Sequence, residues 1–158
     1  MKTLKPIHAA VLVVIISSVV LVTDYALEGG FSRADYERVG PDDQGLVTID
    51  VSDLANGTVR FFRFLNYGNQ EVLFFVGRDQ HGTVQVAFDA NEICYKLKRG
   101  YRHQEEWVVC NKCDKAFRLA EVNDGDGGCK PVPLPHRLRG DQLILVEADI
   151  LTGWRFFR

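Results

Sequence analysis

The fold is decided by residues 58–76, which read TVRFFRFLNYGNQEVLFFV. Two runs rich in β-branched and aromatic residues, 58–65 and 71–76, flank an Asn-Tyr-Gly-Asn sequence at 66–69. Such runs favour strands, and the Gly and Asn residues between them tolerate the positive φ of a tight turn. The stretch therefore predicts an antiparallel hairpin.

Further strand signals surround this hairpin. The candidate strands, in chain order, are 47–51, 83–88, 106–109, 115–119, 142–146 and 154–157. Turn-forming Gly and Asn residues separate most of them, as expected for an antiparallel arrangement. The proline-rich segment 131–135 is not expected to form regular ladder hydrogen bonds, because proline has no N–H.

One segment of the chain has a helical signal. Asp89 is followed by Glu92 in a capping-box arrangement, and Gly100 is well placed to end a helix. A short helix over about 89–99 would carry Cys94. The predicted fold class is therefore mainly β (α+β): a compact antiparallel β domain with a short helix and a cysteine-rich knuckle, preceded by one N-terminal transmembrane helix.

The N-terminus has the pattern of a membrane-directing segment. Lys2 and Lys5 precede an uncharged run at 6–23, which Asp24 ends. A spanning helix needs about 20 residues, so an uncleaved signal-anchor is predicted, with a cleaved signal peptide as the alternative. The positive-inside rule then places 25–158 outside the cytoplasmic membrane in a single-pass topology.

Three segments follow from this division, and composition limits their partners. They are a signal-anchor at 1–23, which contacts membrane lipid through 6–23, a tether at 24–45 and an extracytoplasmic domain at 46–158. The chain has 19 Lys and Arg against 21 Asp and Glu. No basic field draws it to nucleic acid, and 46% hydrophobic residues suffice for a core.

The chemistry is concentrated in four cysteines. Cys94, Cys110, Cys113 and Cys129 have the spacing C-x15-C-x2-C-x15-C. A C-x2-C pair on a tight turn brings two sulfurs together, and two further thiols complete the shell of a tetrahedral iron or zinc site. Two disulfides, or a redox-active dithiol, are the alternatives outside the cytoplasm. Asp114 after the pair excludes covalent c-type haem attachment, which needs His.

Other candidate groups lie close to the cysteines in sequence. His103 is a possible substitute ligand, although a lone His is more often structural. Seven basic residues against three acidic ones give an excess of four positive charges, which would offset four thiolates or simply form a solvated face. No Ser-His-Asp order or phosphate loop is present in the sequence, so an electron carrier or metal-binding protein is expected rather than a catalyst.

Three motifs together resemble one protein family. They are FDANEICY at 88–95, VCNKC at 109–113 and GGCKPVPL at 127–134. They are similar to the FtrD-like family of bacterial membrane iron–sulfur proteins, over about 58–157. The resemblance implies a membrane-attached domain whose Cys94, Cys110, Cys113 and Cys129 hold an iron–sulfur cluster. In some systems such domains are associated with iron uptake permeases.

The chain departs from the family pattern at two positions. Similar sequences usually read Cys-x-x-Cys at the first site, whereas here Asn91 stands in place of the earlier thiol, and Lys130 replaces a small polar residue. Four thiols still suffice for one site. The change argues against a five-cysteine arrangement, a second metal or a dithiol switch at that pair.

Three functions remain open from the sequence. The leading hypothesis is electron transfer or redox support for metal-ion (iron) transport, with a metal-ion permease or a redox protein as partner. The second is a metal-binding or relay module for zinc or copper. The third is a disulfide-stapled structural or interaction domain. Four thiols suit iron–sulfur clusters and zinc alike, so the sequence leaves the choice open.

Overall fold

The structure is a computed structural model and describes residues 13–20, 22, 36–125 and 127–158. The chain divides into two units between Ala34 and Asp35. In the first unit, residues 13–20 and 22 are helical. No helix within the described residues is long and apolar enough to span a membrane. The rest of the predicted membrane run 6–23 lies outside the described residues, as does most of the predicted tether.

The second unit is mainly β, and its described residues form three sheets. The strands are β1 Tyr36–Val39, β2 Leu46–Asp50, β3 Thr58–Leu65, β4 Glu71–Arg78, β5 Val84–Phe88, β6 Tyr101–Gln104, β7 Trp107–Cys110, β8 Ala116–Arg118, β9 Arg137–Arg139 and β10 Gln142–Val146. The short helices are α1 Glu147–Thr152 and the 3₁₀ helices Tyr95–Leu97, Leu119–Glu121 and Gly153–Phe156.

The first sheet has the order β1-β3-β4-β5 and contains the predicted hairpin. β3 and β4 pair antiparallel with Phe61 opposite Phe75, which confirms the strand type and pairing expected for 58–76. β1, which falls in the segment predicted as tether, pairs parallel with β3. The purely antiparallel prediction is therefore wrong at this edge. Parallel neighbours need a crossover, and the chain supplies one by passing through β2 in the second sheet before it returns as β3.

The main core lies between the first sheet and the second sheet, whose order is β2-β10-β9. Alternate residues of β3 and β10 point into it: Phe62, Phe64, Leu143 and Leu145 are at most 1% exposed. Phe62 stacks on Phe74 with ring centroids 5.3 Å apart. Burying such side chains contributes about 1.5–3 kcal/mol each before the entropy cost of ordering them.

The opposite face of the first sheet carries a row of aromatic rings. Phe61 contacts Tyr36 and Phe75 at centroid distances of 5.8 Å. Phe75 contacts Tyr101 at 6.2 Å. Tyr101 is the first residue of β6, so the row connects the first sheet to the third sheet, β6-β7-β8, which carries two of the cysteines.

The proline-rich segment 131–135 lies along the free edge of β5. Val132 accepts the N–H of Phe88 at 2.8 Å, and the N–H of Leu134 donates to Val86 at 3.0 Å. Pro131 and Pro133 alternate with these pairing residues, so their missing N–H groups cost no hydrogen bond at the edge. The segment pairs more regularly than the sequence suggests, and it covers an edge that would otherwise be open.

Two elements differ from their prediction. The helix expected over about 89–99 is only the 3₁₀ helix Tyr95–Leu97, with Cys94 at its N-cap. The side chain of Glu92 does not close a capping box but pairs with Arg155 at 2.5 Å. The strand expected at 154–157 is helical, because α1 continues into the 3₁₀ helix Gly153–Phe156. A Cβ at Gly153 would overlap the Phe88 ring, so this helix packs tightly on the first sheet.

The loop between β4 and β5 is organised by a buried carboxylate. Asp79 accepts the backbone N–H groups of His81 at 2.8 Å and Thr83 at 3.0 Å, and the side-chain amide of Gln85 at 3.2 Å. Burial acts to raise the pKa of Asp79, but these three donors outweigh it and the pKa is lowered. The ionised carboxylate therefore stabilises the loop.

This carboxylate predicts a loss of stability in acid. Because its pKa is lowered in the folded state, Asp79 contributes stability above the ordinary value of 3.8, and the contribution disappears as pH falls through the folded pKa. We expect Asp79→Asn to lower the free energy of unfolding at pH 7 by about 1–3 kcal/mol and to flatten its decline below about pH 4. Urea unfolding across pH measures both, with the exposed Asp43→Asn as control. A decline that is identical in the wild type and Asp79→Asn would contradict the prediction.

Candidate metal centre

The C-x2-C pair lies on a turn between β7 and β8. Cys110 ends β7, and its N–H donates to the Lys115 carbonyl at 2.9 Å. The N–H of Asp114 donates back to the Cys110 carbonyl at 3.0 Å, and Asp114 has a positive φ of 55°. This knuckle, residues 110–115, leaves Cys110 buried and Cys113 exposed.

The other two cysteines come from loops that meet beside the knuckle. Cys94 is half-buried at the N-cap of its 3₁₀ helix, and Cys129 is half-buried just before the proline-rich segment. The N–H of Val132 donates to the Ala90 carbonyl at 3.1 Å. This contact ties the Cys129 loop to the segment that leads into Cys94.

Three of the predicted ligands form a close group. The sulfur atoms of Cys94, Cys113 and Cys129 all lie within 4.8 Å of one another, and those of Cys94 and Cys129 are 3.6 Å apart. A disulfide needs about 2.05 Å, and all four cysteines are free. Four sulfurs at about 2.3 Å from one tetrahedral ion would lie about 3.8 Å apart, so the observed spacing suits sulfurs that share a metal.

Cys110 is adjacent to this group but is not part of the 4.8 Å set. Its side chain is 1% exposed, and its sulfur accepts the side-chain N–H of Asn91 at 3.7 Å. It also contributes to the raised pKa of Cys94, so it is near enough to interact with that thiol. The fourth sulfur is therefore a neighbour of the other three, held on the interior side.

The thiols differ in their electrostatic surroundings. Burial raises the pKa of Cys94 to about 12, and the neighbouring cysteines add to the shift. Hydrogen bonding with Cys113, together with burial, raises the pKa of Cys129. Burial acts to raise the pKa of Cys113 too, but the Lys115 backbone N–H and the other thiols outweigh it, and its pKa is lowered. Clustered thiolates repel one another. Metals bind the deprotonated form of cysteine, and the positive charge of a bound cation would offset the repulsion between the thiolates.

Asn91 is the centre of the hydrogen-bonding network behind the sulfurs. It is 2% exposed. Its Oδ1 accepts the N–H groups of Ile93 at 3.1 Å and Cys94 at 2.6 Å, and its Nδ2 donates to the Tyr101 hydroxyl at 2.8 Å as well as to Cys110. One carboxamide therefore fixes the turn that carries Cys94 and contacts the sulfur of Cys110.

Tyr101 extends this network to the loop that carries Cys129. Its hydroxyl donates to the Cys129 carbonyl at 2.5 Å, and its N–H donates to Asp89 Oδ1 at 2.6 Å. Burial raises the pKa of Tyr101 far above its ordinary value, so the hydroxyl remains protonated and able to donate. Gly100 has a φ of +59°, and a Cβ there would overlap the Asp89 carboxylate. The glycine serves this close approach and does not end a helix.

His103 and two of the basic residues, Arg102 and Arg118, have side-chain contacts with groups other than the sulfurs. The His103 Nε2 contacts the backbone carbonyls of Gly57 and Glu105, so the ring has a structural environment. Arg102 pairs with Asp114 at 2.9 Å, and Arg118 lies over the Trp107 ring at 5.2 Å. Most of the basic residues near the cysteines in sequence are exposed: Lys96, Lys98, Arg99, Lys112, Lys115 and Arg118. Their exposure favours the interpretation of these basic residues as a solvated face over a role in offsetting thiolate charge.

Sequence reasoning missed the roles of Asp89, Asn91 and Tyr101. Asn91 was notable only as a departure from a family pattern, and Asp89 as a helix cap. A signal was present, because an Asn three residues before Cys94 can accept N–H groups from the following residues in an Asx turn. Nothing in the sequence near Tyr101 indicates that its hydroxyl reaches Cys129.

A β domain that gathers free thiols from a knuckle and two loops defines a cysteine-based metal-binding protein. The donor set fits iron or zinc in a tetrahedral sulfur environment. The model of the family described as membrane iron-sulfur containing protein FtrD-like matches residues 54–157. The chain belongs to this family, and the resemblance seen in the sequence is confirmed. No curated protein and no solved structure matches the chain.

The surroundings of His103 predict that it is not a ligand. We expect His103→Ala to leave bound metal unchanged and to lower the free energy of unfolding by about 1 kcal/mol, because a hydrogen bond to the Gly57 carbonyl is lost. Metal analysis and urea unfolding of the purified full chain check both parts, with the exposed His81→Ala as control. A clear loss of metal in His103→Ala alone would show that His103 does coordinate.

Proposed function

We propose that Cys94, Cys110, Cys113 and Cys129 together hold one iron–sulfur cluster, with which the protein carries electrons at the outer face of the bacterial cytoplasmic membrane. The observation that carries this proposal is the group of free thiols within 4.8 Å, in a chain of a membrane iron–sulfur family. Metal-ion (iron) transport is the process that such electron transfer would support.

The buried Cys110 is proposed as the fourth ligand. Clusters of the [2Fe–2S] and [4Fe–4S] types are held by four cysteine thiolates, and the chain has four cysteines. Cys110 belongs to the same short turn as Cys113 and interacts with Cys94. We expect its sulfur to complete the group when the cluster binds.

The surroundings of the thiols suit an electron carrier. A bound cluster supplies reversible one-electron chemistry. The chain contributes a buried side, where Asn91 and Tyr101 fix the loops, and an open side, where Cys113 is exposed. Exposure of one ligand brings the site to the surface, so that a reduced redox protein can donate an electron and an oxidised partner, such as one serving a metal-ion permease, can accept it.

Zinc or copper binding in a metal-relay module is the second candidate. The 3.6 Å separation of the Cys94 and Cys129 sulfurs is close to the value expected around one tetrahedral ion. A zinc ion of this kind has no redox chemistry, so reduction separates zinc from a cluster. Copper is redox-active, and metal and sulfide analysis separates it from a cluster.

Reconstitution tests the electron-transfer proposal. We expect the full chain in detergent, incubated without oxygen with iron and sulfide, to acquire visible absorbance that dithionite bleaches reversibly, with a new paramagnetic signal. Changing any one of the four cysteines to Ser should lower bound iron by more than about half, because each removes one ligand of the shared shell. Iron and sulfide analysis provides the measurement.

Two outcomes would contradict the electron-transfer proposal. A preference for zinc under competition, without a redox-linked signal, would favour the relay module. Two stable disulfides in the mass spectrum of native protein, with no metal, would favour a stapled structural domain. Ser52→Ala, an exposed change outside the cysteine loops, is the control for handling losses.

The membrane assignment has its own test. The family is described as a membrane family, and the uncharged run at 6–23 follows two lysines. We expect the full chain to sediment with membranes and to resist extraction by carbonate. Protease added outside spheroplasts should digest the β domain. Recovery of a soluble, N-terminally processed form from cells would contradict the anchor.

A further inference from the structure

We infer that the Asn91 carboxamide is a positioning group that raises the reduction potential of the metal centre by donating an N–H to the sulfur of Cys110. The inference rests on the proposed function, because it needs a redox-active group on these thiols. Asn91 itself is not proposed as a ligand.

The orientation of the carboxamide is fixed by its four contacts. Both acceptor contacts, from Ile93 and Cys94, are made by Oδ1, and both donor contacts, to Tyr101 and Cys110, are made by Nδ2. Rotating the amide by half a turn would point its N–H groups at the backbone N–H groups of Ile93 and Cys94. Those two backbone donors would then have no acceptor. The N–H therefore faces the sulfur by necessity.

Burial strengthens the electrostatic interaction between this N–H and the sulfur. Asn91 and Cys110 are 2% and 1% exposed, so water does not compete for the contact, and polar interactions are stronger in such surroundings. Reduction adds a negative charge to the group that the sulfurs hold. An N–H directed at one of those sulfurs stabilises the reduced form more than the oxidised form, and hydrogen bonds to sulfur are a known determinant of potential.

The Asn91→Asp variant removes the donor half of the amide and also adds a carboxylate, and both changes disfavour the reduced form. Its side chain has nearly the same shape and keeps an oxygen for the N–H groups of Ile93 and Cys94, but it replaces Nδ2 with oxygen. Asn91→Ser also keeps a short acceptor for the turn and removes the donor without adding charge. It serves as the second variant if the first folds poorly.

The measurement is a redox titration of full-chain protein in detergent, loaded with iron and sulfide. We expect Asn91→Asp to lower the reduced-to-oxidised ratio at fixed potential at least tenfold, which is about 59 mV for one electron, and Asn91→Ser to shift it in the same direction. Asn123→Asp is the matched control, because Asn123 also donates its side-chain amide, but to the Val86 carbonyl at 3.2 Å. It should lose stability without a shift in potential.

The outcomes separate this inference from the proposed function. A cluster that forms with the same potential in the wild type, Asn91→Asp and Asn91→Ser overturns the inference and leaves the function standing. If wild-type protein takes up no cluster, the proposed function fails, and the same variants are compared after loading with Co²⁺. A shift of the sulfur-to-cobalt absorption in the Asn91 variants but not in Asn123→Asp then supports the sulfur contact. Unchanged spectra, or no uptake of either metal, overturn it.

Discussion

The site depends on the hydrogen-bonded pair of Asn91 and Tyr101, buried between the cysteine loops. Asn91 holds the turn of Cys94 and contacts the Cys110 sulfur, while Tyr101 donates to the carbonyl of Cys129. Fifteen residues separate each outer cysteine from the central pair, so local geometry alone cannot bring them together. Two polar side chains with all their partners in place achieve this, because each unmade buried hydrogen bond would cost about 1–3 kcal/mol.

The β scaffold limits how far this pair can move. Tyr101 packs its ring on Phe75 of the central hairpin at 6.2 Å, and its N–H is held by Asp89 directly after β5. The proline-rich segment hydrogen-bonds along the edge of β5 and therefore delivers Cys129 to the same end of the first sheet. The ring contact with Phe75, the hydrogen bond to Asp89 and the proline-rich segment therefore all hold the cysteine loops at this end of the first sheet. A site supported by packed strands is more precise than one built on free loops.

The sequence predicted the parts of the fold that depend on periodicity and turn chemistry, and missed those that depend on contacts between distant residues. The hairpin at 58–76 was predictable because its apolar runs and its Asn-Tyr-Gly-Asn turn agree. The helix over about 89–99 was not, because Asn91 accepts the N–H of Cys94 in a local turn and Glu92 pairs with Arg155, 63 residues away. The helical C-terminus likewise depends on the fit of Gly153 against Phe88.

The cysteine spacing shows the same division. It predicted thiols that meet, and the sulfurs of Cys94, Cys113 and Cys129 do so, but no spacing rule states that Cys110 lies behind them against an amide. Cys110 differs from the other three cysteines in its electrostatic surroundings, because its sulfur contacts the Asn91 amide. A thiol at position 91 would add another ionisable group to thiols whose deprotonated forms repel one another, whereas an amide there adds a fixed N–H dipole directed at one of the sulfurs. The number of thiol ligands and the polar groups behind them, such as the Asn91 amide, therefore both set the charge at the site. The number of ligands can be counted in the sequence, whereas the groups behind them are found only in the structure.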